Sequence, residues 1–285
     1  MITPKFLARI LLEFIGETNI FISLTAAVSA YAAFTYFGYQ GSFTLSTAIF
    51  FSALFTYNAQ RLIGDLKKRA TFRLAKKWLS VISLFAAPFF LFQLGGDQIA
   101  VLAFAGAISI GYAVPFIPGA SGLKSLRKIP RLKIWLIALV WVLVIAVVPL
   151  LGIAQKPGGM DVLPVFLYIL QQTLLVMGLT IPFDVRDLEV DHADQKTLPM
   201  TLGVNRALRL GQFLMAVFIL PAFLSYYMGY CTIYVFAVQL AVAATGIWFI
   251  PKTHSARSPL FFLIMLDGVL LLQAVLVLGV RGAVL

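Results

Sequence analysis

Long apolar stretches, separated by alternating short and long polar connections, dominate this sequence of 285 residues. A membrane-spanning helix needs about 20 mostly apolar residues. The stretches that qualify are 19–38, 43–63, 77–95, 98–117, 132–152, 162–182, 207–228, 231–250 and 258–280. The pattern predicts an all-α integral membrane protein with nine transmembrane helices. Residues 1–18 are expected to form an amphipathic lead-in, and residues 19–285 a single nine-helix transmembrane domain.

Basic residues are concentrated in the longer connections and at the N-terminus. Of the 22 lysines and arginines, only Lys156 and Arg281 fall on the side of the short connections, while Arg61 lies inside the second stretch. Cytoplasmic loops of membrane proteins carry an excess of lysine and arginine. Nine spans then place the N-terminus in the cytoplasm, the C-terminus outside and the long loops in the cytoplasm. A bacterial inner membrane is the expected location.

Composition supports the membrane assignment and argues against other classes. The chain is 61% apolar and only 12% charged, which is too few charges for the surface of a soluble protein of this size. Its net charge of +11 could suggest nucleic acid, but the distribution of the cations fits membrane topology instead. We therefore expect membrane lipids, and no nucleic acid, as partners.

The segment from Asp184 to Thr197 is the chain's densest group of oxygen ligands. On a continuous helix, Asp184, Asp187, Asp191 and Asp194 would share one face. Four neighbouring carboxylates repel one another, and a divalent cation relieves that repulsion. An all-oxygen ligand set favours Mg²⁺, Mn²⁺ or Ca²⁺ over zinc. The alternative is a solvated acidic loop that pairs with nearby lysines and arginines.

A second polar group ends the second apolar stretch. Asn58, Arg61 and Asp65 are spaced to share a helix face. Polar groups at this depth are costly unless they face a cavity or a partner. The alternative is a helix-end anchor in which Arg61 extends to the lipid headgroups.

The connection between the fourth and fifth stretches is strongly basic, and its cations could bind a diphosphate. Lys124 and Lys133 are the better candidates because they flank the loop near helix ends. A positive-inside bias with attraction to anionic lipid explains most of these residues equally well. Asp267 lies inside the last apolar stretch. It is a candidate by position, although protonation or a hydrogen bond to a neighbouring helix is the simpler interpretation.

Several of these segments resemble motifs of the UbiA superfamily of intramembrane prenyltransferases. Asp187-Leu-Glu-Val-Asp191 is similar to the second DxxxD motif of that family, and the segment 196–203 resembles the family's segment that follows it. The segments 112–124 and 129–135 resemble the family's loop between the fourth and fifth helices. The resemblance covers nearly the whole chain. It implies a UbiA-like bundle that transfers an isoprenoid chain, with Mg²⁺, from a prenyl diphosphate to an aromatic or other lipophilic acceptor within the membrane.

The resemblance implies that Asp184, Asp187 and Asp191 bind the metal and that Asp187 and Asp191 are catalytic. Asp65 is a further candidate metal ligand, and Arg61 a candidate catalytic residue, by their positions near the first family motif. The candidate diphosphate-binding residues are Asn58, Arg61, Lys124, Lys133 and Lys196.

The first aspartate motif of the family, NDxxDxxxD, is degenerate in this chain. Only Asn58 matches it, because Ala59, Leu62 and Leu66 stand where the aspartates are expected. Asp65 is one position from the final aspartate, and Arg61 could supply a fixed positive charge in place of a metal ion. Gln195 also stands near a position where the family usually has glycine.

Two other classes of function remain open at this stage. The degenerate motif is compatible with a non-catalytic UbiA-like protein that binds an isoprenoid or lipid phosphate, or that serves as a partner in a membrane assembly. A secondary transporter would require inverted repeats and helices broken near the bilayer midplane. The polar groups of this chain lie at predicted helix ends instead, which disfavours a transporter.

Overall fold

Helices make up most of the computed structural model, which describes residues 4–64, 72–118, 123, 125–156, 161–189, 191 and 195–284. In chain order they are α1 (Pro4–Glu17), α2 (Ile20–Tyr36), α3 (Phe43–Gly64), α4 (Arg73–Leu91), α5 (Gly96–Ala113), α6 (Lys133–Ala154), α7 (Val162–Arg186), the short α8 (Leu198–Leu202), α9 (Val204–Tyr227) and α10 (Ile233–Phe249). Helix α6 contains a π turn at Leu143–Val147, and α9 is interrupted at Phe218. The last, α11, joins Pro259–Phe261, a π turn at Phe262–Asp267, and Gly268–Val284.

The helices form a closed bundle. The partners in contact are α2 with α3, α3 with both α4 and α5, α5 with α6, α6 with α7, α7 with α9, α9 with α10, and α10 with α11. Helix α11 then packs against α2, which closes the ring. Small residues allow close approach within it: at the crossing of α7 and α9, a side chain on Gly178 would lie 3.2 Å from the Gly211 carbonyl oxygen.

Seven helices in the described part of the chain are long and apolar enough to cross a membrane, as expected of an integral membrane protein. They are α4, α5, α6, α7, α9, α10 and α11, and each overlaps one predicted span. An eighth is counted if α1 and α2, which meet at a bend of 71°, form one span. The predicted span at 43–63 coincides with α3, which carries Asn58, Gln60 and Arg61. The count of nine and the orientation of the termini stay predictions.

A polar cluster lies within the bundle where α2, α7, α10 and α11 meet. Gln273 donates a hydrogen bond of 2.8 Å to Gln239, and Tyr36 donates one of 3.2 Å to Gln171. The side-chain amide nitrogens of Gln171 and Gln239 are buried and have no hydrogen-bond partner among the described residues. Nothing in the sequence grouped these glutamines with one another. The one available signal was that several glutamines lie inside predicted membrane spans, where polar side chains are expected to face other helices.

We expect Gln239→Leu to destabilise the bundle because it leaves the buried Gln273 amide without its acceptor. The loss should be about 1 kcal/mol, given the small average worth of interhelical hydrogen bonds in membranes. Equilibrium unfolding in mixed micelles would measure the loss of stability for Gln239→Leu, for Gln273→Leu and for the double variant. The double variant should lose less stability than the sum of the single ones. Strict additivity would show that the two amides do not interact.

Candidate active site

The ammonium group of Lys133 lies among three carboxylates. Its Nζ is 2.9 Å from Asp184 Oδ1, 3.2 Å from Asp187 Oδ2 and 2.8 Å from Asp191 Oδ2. The pairs with Asp187 and Asp191 are hydrogen bonds. The contact with Asp184 Oδ1 is an ion pair whose geometry departs from that of a regular hydrogen bond. We call these four residues the aspartate cluster, and the end of the bundle that carries them the aspartate end.

Three different segments bring the cluster together. Lys133 is the first residue of α6, and Asp184 lies in the last turn of α7. Asp187 begins a short 3₁₀ turn (Asp187–Glu189), and Asp191 lies beyond it. The prediction that the aspartates share one face of a continuous helix was therefore wrong. Because the chain leaves the α-helix after Arg186, the carboxylates can surround a cation on α6 instead of repelling one another along one face.

Two arginines bind the outer oxygens of the cluster. Arg127, in a 3₁₀ turn (Leu126–Lys128), donates a hydrogen bond of 2.6 Å from Nη2 to Asp191 Oδ1. Burial disfavours the charged guanidinium of Arg127, but the hydrogen bond and the charge of Asp191 outweigh burial and raise its pKa. Arg186 Nε donates a bond of 2.9 Å to Asp187 Oδ1. Three carboxylates thus face three cations.

The donor set of the cluster fits Mg²⁺, but the arrangement of the free protein does not present it as an open site. Carboxylate oxygens are the protein ligands that Mg²⁺ prefers. Within the described ranges, no group of three or more acidic, histidine or cysteine side chains is arranged to hold a metal ion. The Lys133 ammonium is instead the cation on which the three aspartates converge. It therefore stands where a bound cation would have to lie.

Other polar side chains extend the site toward α3 and α11. Tyr112, near the end of α5, interacts electrostatically with Lys133, Arg127, Asp184 and Asp187. Tyr57, one turn before Arg61 on α3, interacts with Asp267, Tyr112 and Arg61. Asp267 in turn interacts with Arg186 and Arg61. The polar ends of α3, α5, α7 and α11 thus belong to one electrostatically connected region.

Comparison with solved structures identifies the architecture. The chain is similar to a UbiA homologue from Archaeoglobus fulgidus bound to GPP and Mg²⁺, with 15% identity and a TM-score of 0.65 over 95% of this chain and 99% of that one. The same homologue bound to DMAPP and Mg²⁺ gives 14% identity and a TM-score of 0.61 over 95% and 99%. This chain has the UbiA fold. A structure of digeranylgeranylglyceryl phosphate synthase is also similar, with 17% identity, a TM-score of 0.57 and coverage of 94% and 99%.

The sequence itself gives no such match: no protein-family model and no curated protein matches it. The UbiA fold confirms the architecture that the motifs implied, while the roles implied for individual residues stay predictions.

The structure accounts for Asn58 as part of the packing of this chain. Asn58 is fully buried, accepts a hydrogen bond of 2.8 Å from Asn19 Nδ2 and donates one of 3.0 Å to the Thr18 carbonyl oxygen. Asn19 has a positive φ of 60° at the bend between α1 and α2. Both functional ends of the Asn58 amide are therefore engaged in fixing this bend.

Arg61 is half exposed and pairs with Glu17, the last residue of α1. Its Nη1 lies 3.5 Å from Glu17 Oε2, and Lys76 Nζ lies 3.2 Å from the same oxygen. The Arg61 guanidinium is thus tied to α1 by charge and also interacts with Tyr57 and Asp267. The described contacts of Arg61 are therefore with other groups of the protein.

Of the remaining predicted residues, the structure describes only Lys196. Lys196 is exposed, with a positive φ of 46°. Asp65, Lys124 and Asp194 lie outside the described residues. Arg127 and Arg186 were not among the predicted site residues, although Arg186 lies between two of the aspartates in sequence and Arg127 lies in the basic loop that was singled out.

We expect Asn58→Ala to destabilise the protein before any ligand is added, because it leaves Asn19 and the Thr18 carbonyl without buried partners. Loss of two such bonds should cost about 2 kcal/mol. Thermal unfolding of the ligand-free protein in detergent would measure the loss. Asn205→Ala, which alters an exposed asparagine on α9, is the matched control and should leave the unfolding temperature unchanged. Equal unfolding temperatures for both variants would contradict a structural role for Asn58.

Proposed function

We propose that this protein transfers an isoprenoid chain from a prenyl diphosphate to an aromatic or other lipophilic acceptor within the membrane, with Mg²⁺ as cofactor. The convergence of Asp184, Asp187 and Asp191 on one cation position carries this proposal. The similar Archaeoglobus fulgidus structures bound to Mg²⁺ with GPP or DMAPP support it. The acceptor is proposed only as a class.

The residues of the aspartate end suit the departure of a diphosphate. Asp184, Asp187 and Asp191, with Asp65 as a further candidate, would hold Mg²⁺, which neutralises the charge that develops on the leaving diphosphate. Lys133, Arg127 and Arg186 place three positive charges against the carboxylates of the same cluster. Arg61 would add positive charge from α3, and Lys124 and Lys196 are proposed to assist from the loops.

Chemically, the bond between the first prenyl carbon and the diphosphate oxygen breaks, and the diphosphate leaves with the electron pair. A nucleophilic carbon of an aromatic acceptor, or a hydroxyl oxygen of a glycerol-phosphate acceptor, forms the new bond to the allylic carbon and then gives its proton to the released diphosphate. Exclusion of water protects the electron-deficient carbon from hydrolysis. The apolar bundle would house the isoprenoid chain beside the aspartate end.

The proposed orientation follows the charges. The long basic loops belong to the cytoplasmic side, and the aspartate end therefore faces the cytoplasm. Nine spans then place the N-terminus inside and the C-terminus outside. A bacterial inner membrane is the proposed location. Residues 1–18 are proposed as the lead-in to one transmembrane domain.

A non-catalytic role is the second candidate. The side chain of Asn58, which alone matches the first family motif, is engaged in packing, and Arg61 pairs with Glu17. These observations favour a protein that binds an isoprenoid or lipid phosphate, or a membrane partner, without turnover. Such a protein would bind prenyl diphosphate and release no diphosphate with any acceptor.

We expect Asp191→Asn to reduce prenyl transfer by about 100-fold or more, since it removes one charge from the cluster on which the leaving group depends. The assay would use protein in lipid nanodiscs, labelled prenyl diphosphates, and a panel of quinone precursors, phenols and glycerol-phosphate lipids. Chelation of Mg²⁺ should abolish the activity of the wild type.

Glu189→Gln is the matched control, because Glu189 is an exposed carboxylate in the same segment and should keep near wild-type activity. Size-exclusion elution and thermal unfolding would verify that both variants are folded. Metal-dependent binding of prenyl diphosphate without turnover across the panel would favour the non-catalytic role. Absence of both binding and turnover would refute the proposal.

A further inference from the structure

Together with Arg127 and Arg186, the aspartate cluster is electrically balanced in the free protein. Asp184 and Asp191 are almost completely buried, with side-chain exposures of 2% and 1%, and the Lys133 side chain is 6% exposed. Lys133, Arg127 and Arg186 supply one positive charge for each of the three carboxylates. The cluster needs no metal ion to neutralise it.

A divalent cation that entered this balanced group alone would leave it with two uncompensated positive charges. Uncompensated charge in a buried site is unfavourable, since little water is available to solvate it. The same cation would also have to compete with the Lys133 ammonium for oxygens of all three aspartates. Binding of the metal alone is therefore opposed by both charge and position.

A diphosphate removes both obstacles. It brings several negative charges at neutral pH, and these offset the charge of the divalent ion. Its oxygens also offer the ammonium group new acceptors once the carboxylates bind metal. Lysine suits such a move, because its charge is compact and sits on a flexible four-carbon stem.

The arginines are held differently. Arg186 lies over two aromatic rings, with its guanidinium carbon 4.9 Å from the Phe183 ring centre and 5.2 Å from that of Phe262. Arg127 is held by its short bond to Asp191. These contacts hold the Oδ1 atoms of Asp187 and Asp191 in position. The Oδ2 atoms of the same residues, which contact Lys133, can then exchange the ammonium group for a metal ion.

We propose that Lys133 is a displaceable internal counter-ion. It blocks the aspartate cluster to divalent cations in the free protein, so that the metal binds tightly only together with a diphosphate, to which the ammonium group then turns. This inference rests on the proposed function, because it assumes that the cluster binds a metal–diphosphate pair. It adds that the metal binds together with the diphosphate and not before it, and that Lys133 is the residue responsible.

Equilibrium dialysis of Mn²⁺, as a probe for Mg²⁺, would test the inference on full-length protein in nanodiscs of zwitterionic lipid. Bound Mn²⁺ would be measured with and without inorganic pyrophosphate for the wild type, Lys133→Met, Lys133→Arg and Lys128→Met. Lys128 is an exposed lysine next to Arg127, so its replacement is the matched control for loss of one positive charge. Thermal unfolding would accompany each measurement.

For the wild type and Lys128→Met, we expect pyrophosphate to tighten Mn²⁺ binding by about tenfold or more, a coupling of ordinary size. Lys133→Met should bind Mn²⁺ without pyrophosphate about tenfold more tightly than the wild type does, and pyrophosphate should then add little. Lys133→Arg keeps the charge and should resemble the wild type without pyrophosphate. It also provides a test if Lys133→Met fails to fold, since tight Mn²⁺ binding by free Lys133→Arg would contradict a blocking charge.

Two results would overturn the inference in different ways. Tight binding of Mn²⁺ to the free wild type, unchanged in Lys133→Met, would refute the role of Lys133 and leave the proposed function intact. Absence of Mn²⁺ binding in every variant, even with pyrophosphate, would refute the proposed function and the inference together.

Discussion

The charge contact between Lys133 and its three aspartates is the constraint on which the aspartate end depends. It joins three segments: the start of α6, the end of α7 and the loop that follows α7. Breaking a buried pair leaves an uncompensated charge and is far more costly than the pair's own net worth. Helix α7 ends at Arg186, and the next residue, Asp187, contacts Lys133.

A second, separate set of contacts fixes the end of α3. Asn58 is bonded to the bend between α1 and α2, and Glu17 at the end of α1 attracts both Arg61 and Lys76. In the described part of α3 the polar end therefore serves packing as well as charge. Tyr57 and Asp267 connect this set to the aspartate end by electrostatic interaction. The two polar ends thus lie in one electrostatically connected region.

The sequence predicted the membrane-spanning helices well, because each span is recognised from its own length and hydropathy without knowledge of the helices that it contacts. Seven of the predicted spans coincide with helices able to cross a membrane. It also singled out Lys133 and the aspartates, since charges in an apolar chain are conspicuous. It did not predict that Lys133 would bind the aspartates, because helix periodicity describes one segment at a time and the contact joins segments about 50 residues apart. Arg127 was missed for the same reason.

Charge balance at this end limits what can bind there. Within the aspartate cluster and its two arginines, three carboxylates face three cations. A lone metal ion therefore finds no uncompensated negative charge in this group. A metal–diphosphate pair, whose charges largely cancel, disturbs the balance least.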